Sequence, residues 1–394
     1  MSKDQDLLKH LSNIPHPEQA KSLVELGMIQ NPQISDDGQV QIDLVPSIAA
    51  HPLIEDWVGQ IESKAMELDW VQGITVNVQS PPAPSAVYPG GLAQVRHVLA
   101  VSSCKGGVGK STVAVNLAMT LQKQGAKVGI FDADIYGPSL STLIKSPKVQ
   151  PMIKENLIQP IDYQGLKLMS FAYVQPDDQA AAMMRGPMVS QVVKQLIETT
   201  DWGELDYLII DMPPGTGDIH ITLAQIMPIT AAIIVTTPQK LSTIDVEKGI
   251  TLFDSLKIPS VGIIENMSYF QDPSLGEDAP KVQMLGPGSL KRLIAEYGFR
   301  CSAQLPMDQT VSLSADEGVP AVLTQPHIAE LFSQFTKELV LQLEALVTHS
   351  SPKAKIFLNE GSLELKGEEY ELDLPYLELR DNCQCAHCVD EYSG

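Results

Sequence analysis

A doubly wound, parallel α/β sheet is the fold class this sequence predicts for most of its 394 residues, and three observations carry that expectation. Short apolar, β-branched runs recur from His97 onward: HVLAVSS at 97–103, KVGIFDAD at 127–134, DYLIIDMPP at 206–214, AAIIVTTP at 231–238 and SVGIIENM at 260–267. They alternate with helical stretches, and strands separated by helices pair in parallel, because a parallel neighbour is reached only by a crossover. The segment VSSCKGGVGKST at 101–112 also falls between a strand and a helix, the place where such sheets bind phosphate.

In chain order, residues 1–80 hold helical and strand-like segments without a phosphate motif and are expected to form a small α+β domain. PPAPSAVYPGG at 81–91 carries four prolines and two glycines, which marks a linker reaching to residue 94. Residues 95–348 then form the sheet-bearing core. At their end, HIAELFSQFTKELVLQLEALV at 327–347 sets Ile328, Leu331, Phe332, Phe335, Leu339 and Leu343 on one helical face, as in a final helix docked on the sheet. Residues 349–394 make a short, acidic, β-rich C-terminal module that ends in RDNCQCAHCVDEYSG. The chain length fits two or three domains at roughly 100–200 residues each.

Composition excludes some function classes. A formal charge of −21 disfavours binding to nucleic acid or to anionic membrane. No apolar run reaches the roughly 18 residues of a membrane span, and MSKDQDLLKHLSN has neither the basic stretch nor the apolar run of a secretory signal, so a cytoplasmic protein is expected. Three of the five cysteines, Cys383, Cys385 and Cys388, cluster at the tail, and in a reducing compartment such a cluster binds metal or is redox-active.

The phosphate loop runs through Cys104, Lys105, Gly106, Gly107, Val108, Gly109, Lys110, Ser111 and Thr112. Its glycines let backbone N–H groups converge on phosphate oxygens, and the following helix adds its partial positive charge. Lys110 is expected at the β- and γ-phosphates and the Ser111 hydroxyl on Mg2+. Cys104 stands where the usual loop has its first glycine, and a second lysine, Lys105, follows it.

Together with FDADIYGPS at 131–139, MRGPM at 184–188, PPGTGD at 213–218, VTTPQ at 235–239 and ENM at 265–267, this two-lysine loop resembles the Mrp/ApbC branch of the MinD/ParA-type deviant P-loop ATPases. The resemblance implies a homodimer that sandwiches two ATP molecules, with Lys105 reaching the partner's nucleotide. It implies that Asp134 orients the attacking water, Asp132 supports the magnesium shell, Asp211 lies near magnesium, Gly215 approaches the γ-phosphate, Asp218 closes that switch loop and Asn266 reads adenine. The catalytic set is then Lys105, Lys110, Asp134 and Asp211.

Residues 13–77 are similar to the PaaD-like domain of iron-sulfur assembly proteins, with His51 where that domain has a cysteine. The tail, with LR-x-x-C-x-C-x-x-C at 379–388, resembles the start of the small domain that precedes γ-butyrobetaine hydroxylases, where the metal is zinc. Three modules in this order resemble a class of plastid assembly factors. The CxxC that usually follows ENM in this branch is absent, which moves the expected cluster ligands to Cys383, Cys385 and Cys388, with a fourth ligand from His387, Cys301, the other subunit or a cluster sulfide. The expected function is an ATP-dependent carrier that binds an iron-sulfur cluster, expected to be 4Fe-4S, takes it from cluster donors and passes it to apoproteins. The alternatives are a zinc-stabilised ATPase adaptor and a MinD/ParA-like positioning switch without cargo.

Overall fold

The computed structural model describes residues 2–17, 19, 21–81, 90–145, 151–154, 157–174, 186–215, 217–272, 279–348, 355–358, 362–366 and 371–375. They fall into two compact units, Met1–Leu343 and Glu344–Gly394.

The first unit opens with α1 (Lys3–Leu11), β1 (Ile29–Ile34), β2 (Gln39–Leu44), α2 (Ile54–Ala65) and β3 (Gly73–Val78). Ser2 caps α1 by accepting from the Gln5 N–H, and Asp4 and Asp6 in the first turn face Lys9 and His10 in the last, as the helix dipole favours. β1 and β2 pair antiparallel, whereas β3 returns through α2 to pair parallel with β2. Alternate residues of β2, Val40, Ile42 and Leu44, turn inward onto Leu7, Leu11, Trp57 and Ile61, which gives this small sheet its own core. The Tyr207 hydroxyl donates a buried hydrogen bond of 2.8 Å to the Ala49 carbonyl and so ties this region to the large sheet.

The large sheet contains β4 (Val95–Ser102), β5 (Val128–Asp132), β8 (Ile161–Tyr163), β9 (Leu166–Ser170), β10 (Leu205–Asp211), β11 (Ala231–Thr236), β12 (Ser260–Tyr269) and β13 (Cys301–Pro306), with a two-residue hairpin of β6 (Ile153–Lys154) and β7 (Leu157–Ile158) standing apart. Its order is β13-β12-β11-β4-β10-β5-β9-β8. All five runs singled out in the sequence are strands, and all pair in parallel. The sheet departs from a purely parallel one at its edge, where β8 pairs antiparallel with β9 through a tight turn at Gln164–Gly165. Every residue of β10 is buried, as expected for a strand covered by helices on both faces.

The helix α3 (Lys110–Lys123) follows β4 and is buried nearly all round, so it lies inside the fold rather than on its surface. Strand order reverses around β4 and β10, and the crevice at their carboxyl ends is where such sheets place ligands. The last helix spans Pro326–Thr348 with Ile328, Phe332, Phe335, Leu339 and Leu343 buried, while Leu331 is only half-buried. Among the described residues no helix is long and apolar enough to cross a membrane.

In the second unit, β14 (Lys355–Leu358), β15 (Ser362–Lys366) and β16 (Glu371–Pro375) form an antiparallel meander. Cys383, Cys385, His387 and Cys388 lie outside the described residues.

Candidate functional site

The phosphate loop leaves β4 at Ser102 and turns into α3 through Gly107 and Gly109, whose φ angles of 78° and 84° lie in the left-handed region that glycine adopts without strain. Gly109 is fixed for a second reason. The Asn266 side-chain amide lies so close that a Cβ at 109 would collide with it, and that amide donates to the Val108 carbonyl at 2.9 Å.

Two cavities adjoin at this loop. One of about 250 Å³ is lined by Ser103, Lys105, Gly106, Lys110, Ser111, Asp134 and Pro214. The other, of about 500 Å³ and mostly apolar, is lined by Asn266, Met267, Phe270, Pro306, Asp308 and Phe332, and the two share Gly109 and Thr112. A cavity lined by Lys110, Ser111 and Asp134 at a helix N-terminus, adjoining one lined by Phe270 and Phe332, fits a polyphosphate joined to a flat base.

Electrostatics in the smaller cavity centre on Lys110 and Asp211. Their side chains form a buried ion pair, and the Lys110 ammonium also lies 3.2 Å from the Ser111 hydroxyl. Burial pushes the Asp211 carboxyl up, and Lys110 opposes that shift without cancelling it. Asp132 is raised to about 7, first by burial and then by the charge of Asp211. The glycine amides, the Lys110 ammonium, the Ser111 hydroxyl and the Asp211 carboxylate form a set of groups suited to a magnesium-nucleotide complex, in which Ser111 and Asp211 would face the ion.

The structure brings together most residues the sequence singles out, but with different engagements for two of them. Asp132 is turned into its own switch loop, where its carboxylate accepts from the N–H groups of Asp134, Ser139 and Leu140 at 3.0, 3.0 and 3.1 Å. It therefore organises the loop that carries Asp134, which itself lines the smaller cavity. The Gly215 N–H, expected at the γ-phosphate, donates instead to the Ser103 carbonyl at 3.0 Å. Asp218 begins the helix Asp218–Ile226. Lys105 is exposed at the rim of the smaller cavity.

The remaining cysteines are thiols in packing positions. Cys104 is pushed up to about 11 by burial, and its sulfur fills the notch beside Gly249. Cys301 is buried, raised well above the ordinary thiol range, and donates to the Phe335 carbonyl at 3.4 Å. Both sulfurs are thus taken up in packing, Cys104 at Gly249 and Cys301 at the Phe335 carbonyl. His51 is buried against Trp57, with ring centroids 4.3 Å apart, and its Nδ1 accepts from the Leu53 N–H at 3.2 Å.

Sequence reading missed His220 and Glu265. His220 lies two residues past PPGTGD, and burial together with the Lys110 charge pushes it down to about 4. Glu265 precedes Asn266 and is fully buried. The signal for both was a polar residue one or two positions from a nucleotide motif.

A family model described as NUBPL iron-transfer P-loop NTPase matches residues 94–340, and one described as iron-sulfur cluster assembly protein matches residues 4–78. A protein named Fe-S cluster assembly factor HCF101, chloroplastic, from Oryza sativa subsp. japonica is 40% identical over 99% of this chain and 74% of its own length. The iron-sulfur cluster carrier protein of Escherichia coli strain K12 is 36% identical over 84% of this chain and 90% of its own. Among solved structures, a nucleotide-binding protein from Archaeoglobus fulgidus in complex with ADP superposes with a TM-score of 0.54 at 35% identity, covering 61% of this chain and 94% of that one. With its phosphate loop, strand order and family match over most of its length, the chain belongs to the NUBPL-type iron-transfer P-loop NTPases.

Proposed function

We propose that this protein is an ATP-dependent iron-sulfur cluster carrier, in which slow ATP hydrolysis gates the conformation of a homodimer. The observation that carries the nucleotide half is the Lys110–Asp211 pair at the end of the phosphate loop. Phosphate oxygens compete with a carboxylate for the same ammonium, so nucleotide entry exchanges one Lys110 partner for another and frees Asp211, which with Ser111 would hold magnesium. The Gly215 amide leaves the Ser103 carbonyl in the same transition, which couples the PPGTG loop to occupancy of the site. Asp134 then orients water, and Lys105 serves the nucleotide of the second subunit.

The cargo half is supported by the names of the relatives and by the chemistry of the thiols. With Cys104 packed at Gly249 and Cys301 hydrogen-bonded to the Phe335 carbonyl, the clustered Cys383, Cys385 and Cys388 are the preferred soft ligands. Three ligands per chain leave one position of a 4Fe-4S cluster open, and incomplete ligation favours release to a recipient apoprotein. The division into residues 1–80, 81–94, 95–348 and 349–394 is proposed on the same footing. Cytoplasmic residence is part of the same proposal.

Anaerobic reconstitution with iron and sulfide, followed by analysis for iron, sulfide and zinc, tests the reading. The expected result is an oxygen-sensitive cluster that truncation before Asn382 abolishes while ATP hydrolysis stays near normal. Intact protein that takes up only zinc sinks the carrier reading and leaves a zinc-stabilised adaptor.

A further inference from the structure

Glu265 ends the straight part of β12 with no solvent contact at all. A buried carboxylate is costly unless every lone pair finds a donor, and here the donors with hydrogen bonds to it are neutral. Ser268 Oγ and Gln304 Nε2 donate to Glu265 Oε2 at 2.6 and 3.1 Å, the Ser289 N–H donates to Oε1 at 3.1 Å, and Gln304 Nε2 also reaches Ser268 Oγ at 2.8 Å.

The three partners come from three segments. Ser268 opens the excursion that follows ENM, Ser289 closes it, and Gln304 lies opposite Glu265 in β13. Gly288 brings the closing end so near that a Cβ there would sit 2.6 and 2.7 Å from the two carboxylate oxygens, so the approach requires glycine. The chain also pivots at Met267, whose φ of 55° is left-handed. Beside this clasp, Asn266 and Met267, just past Glu265 in β12, and Leu305, Pro306 and Asp308, just past Gln304 in the neighbouring β13, all line the 500 Å³ cavity.

We propose that Glu265 is a positioning residue for the nucleoside end of the site: its carboxylate ties together the adjacent ends of β12 and β13 whose next residues line the apolar cavity, and so sets affinity for the base without touching the phosphates. The proposal rests on the reading of this cavity as part of an ATP site. Calorimetric titration of the full chain with ATP and with inorganic triphosphate separates the two. Wild type is expected to prefer ATP clearly; equal affinity for the two ligands would overturn the reading of the cavity itself. Glu265→Gln is expected to bind ATP about tenfold more weakly, the worth of one well-placed hydrogen bond to a charged group, with inorganic triphosphate affinity unchanged and KM raised more than kcat falls. Ser268→Ala, which removes one donor and leaves the carboxylate, is expected to show the same selectivity on a smaller scale, and it decides the matter if Glu265→Gln does not fold. Unchanged ATP affinity, or equal losses for ATP and triphosphate in a folded variant, would overturn the positioning role.

Discussion

Lys110 and Lys105 occupy one short loop but opposite environments, and their substitutions should differ accordingly. Lys110 is buried against Asp211, so Lys110→Ala removes the phosphate ligand and also leaves a buried carboxylate unpaired. It should abolish ATP binding and destabilise the fold by about 3–5 kcal/mol, an uncompensated buried charge being the cause. Lys105 is exposed, and Lys105→Ala should leave stability and ATP binding nearly intact while lowering hydrolysis. Titration calorimetry, thermal melts and phosphate release distinguish the two, and equal loss of binding in both variants refutes the division of labour. His220 and His97 give a pH dependence. Both are pushed down to about 4 by burial, so between about 6.5 and 4 the unfolded chain binds more protons than the folded one. Their contribution is fully present above pH 6.5 and is lost as pH falls toward 4. Asp132, raised to about 7, acts in the opposite sense, its folded form holding a proton through most of that window. His220→Asn should therefore flatten the fall in Tm between pH 6.5 and 4. A melt series with an unchanged slope would show that the imidazole does not titrate with folding.

At the scale of elements, the helix Lys240–Ser255 is keyed to the phosphate loop by the Cys104 sulfur beside Gly249. Alanine in place of glycine inside a helix ordinarily stabilises by about 0.5–1 kcal/mol. Here the added Cβ would lie 2.5 Å from that sulfur, and Gly249→Ala should instead cost about 1–3 kcal/mol and weaken ATP binding. Adding Cys104→Ala should recover most of the loss, a coupling that a double-mutant cycle measures directly. Additive losses would mean that the loop and helix are not keyed at this point. The same contact explains a cysteine where the usual loop has glycine: the side chain fills a notch made by a glycine 145 positions later.

For the whole molecule, the nucleotide is expected to control association. Asp134→Ala should accumulate an ATP-bound dimer in saturating ATP and Mg2+, because the carboxylate proposed to orient water is gone while the proposed nucleotide ligands remain. Light scattering that shows only monomers would count against the gating reading. The Tyr207–Ala49 hydrogen bond is one described link between the amino-terminal region and the sheet. Tyr207→Phe should cost about 1 kcal/mol, the net worth of one buried hydrogen bond, without changing ATP affinity, and a thermal melt beside a titration checks both.

Local sequence determined the parts of this protein that local physics governs. Five continuous apolar runs could only be strands covered on both faces, and the glycine spacing before Lys110 specified a phosphate loop at a helix N-terminus, because each depends on residues within one strand or turn. The helix at 326–348 was legible for the same reason, its apolar residues repeating at helical spacing. The antiparallel edge at β8 was not, since three residues carry too little pattern to set a pairing direction. Tertiary structure alone decided which groups each functional residue engages. Asp132 accepts amides from its own switch loop, Gly215 is held by Ser103, Cys104 packs at Gly249, and Glu265 clasps residues 3, 24 and 39 positions away in sequence. Burial and hydrogen-bond partnership are properties of the assembled sheet end, where strands distant in the chain converge, and no local pattern encodes them.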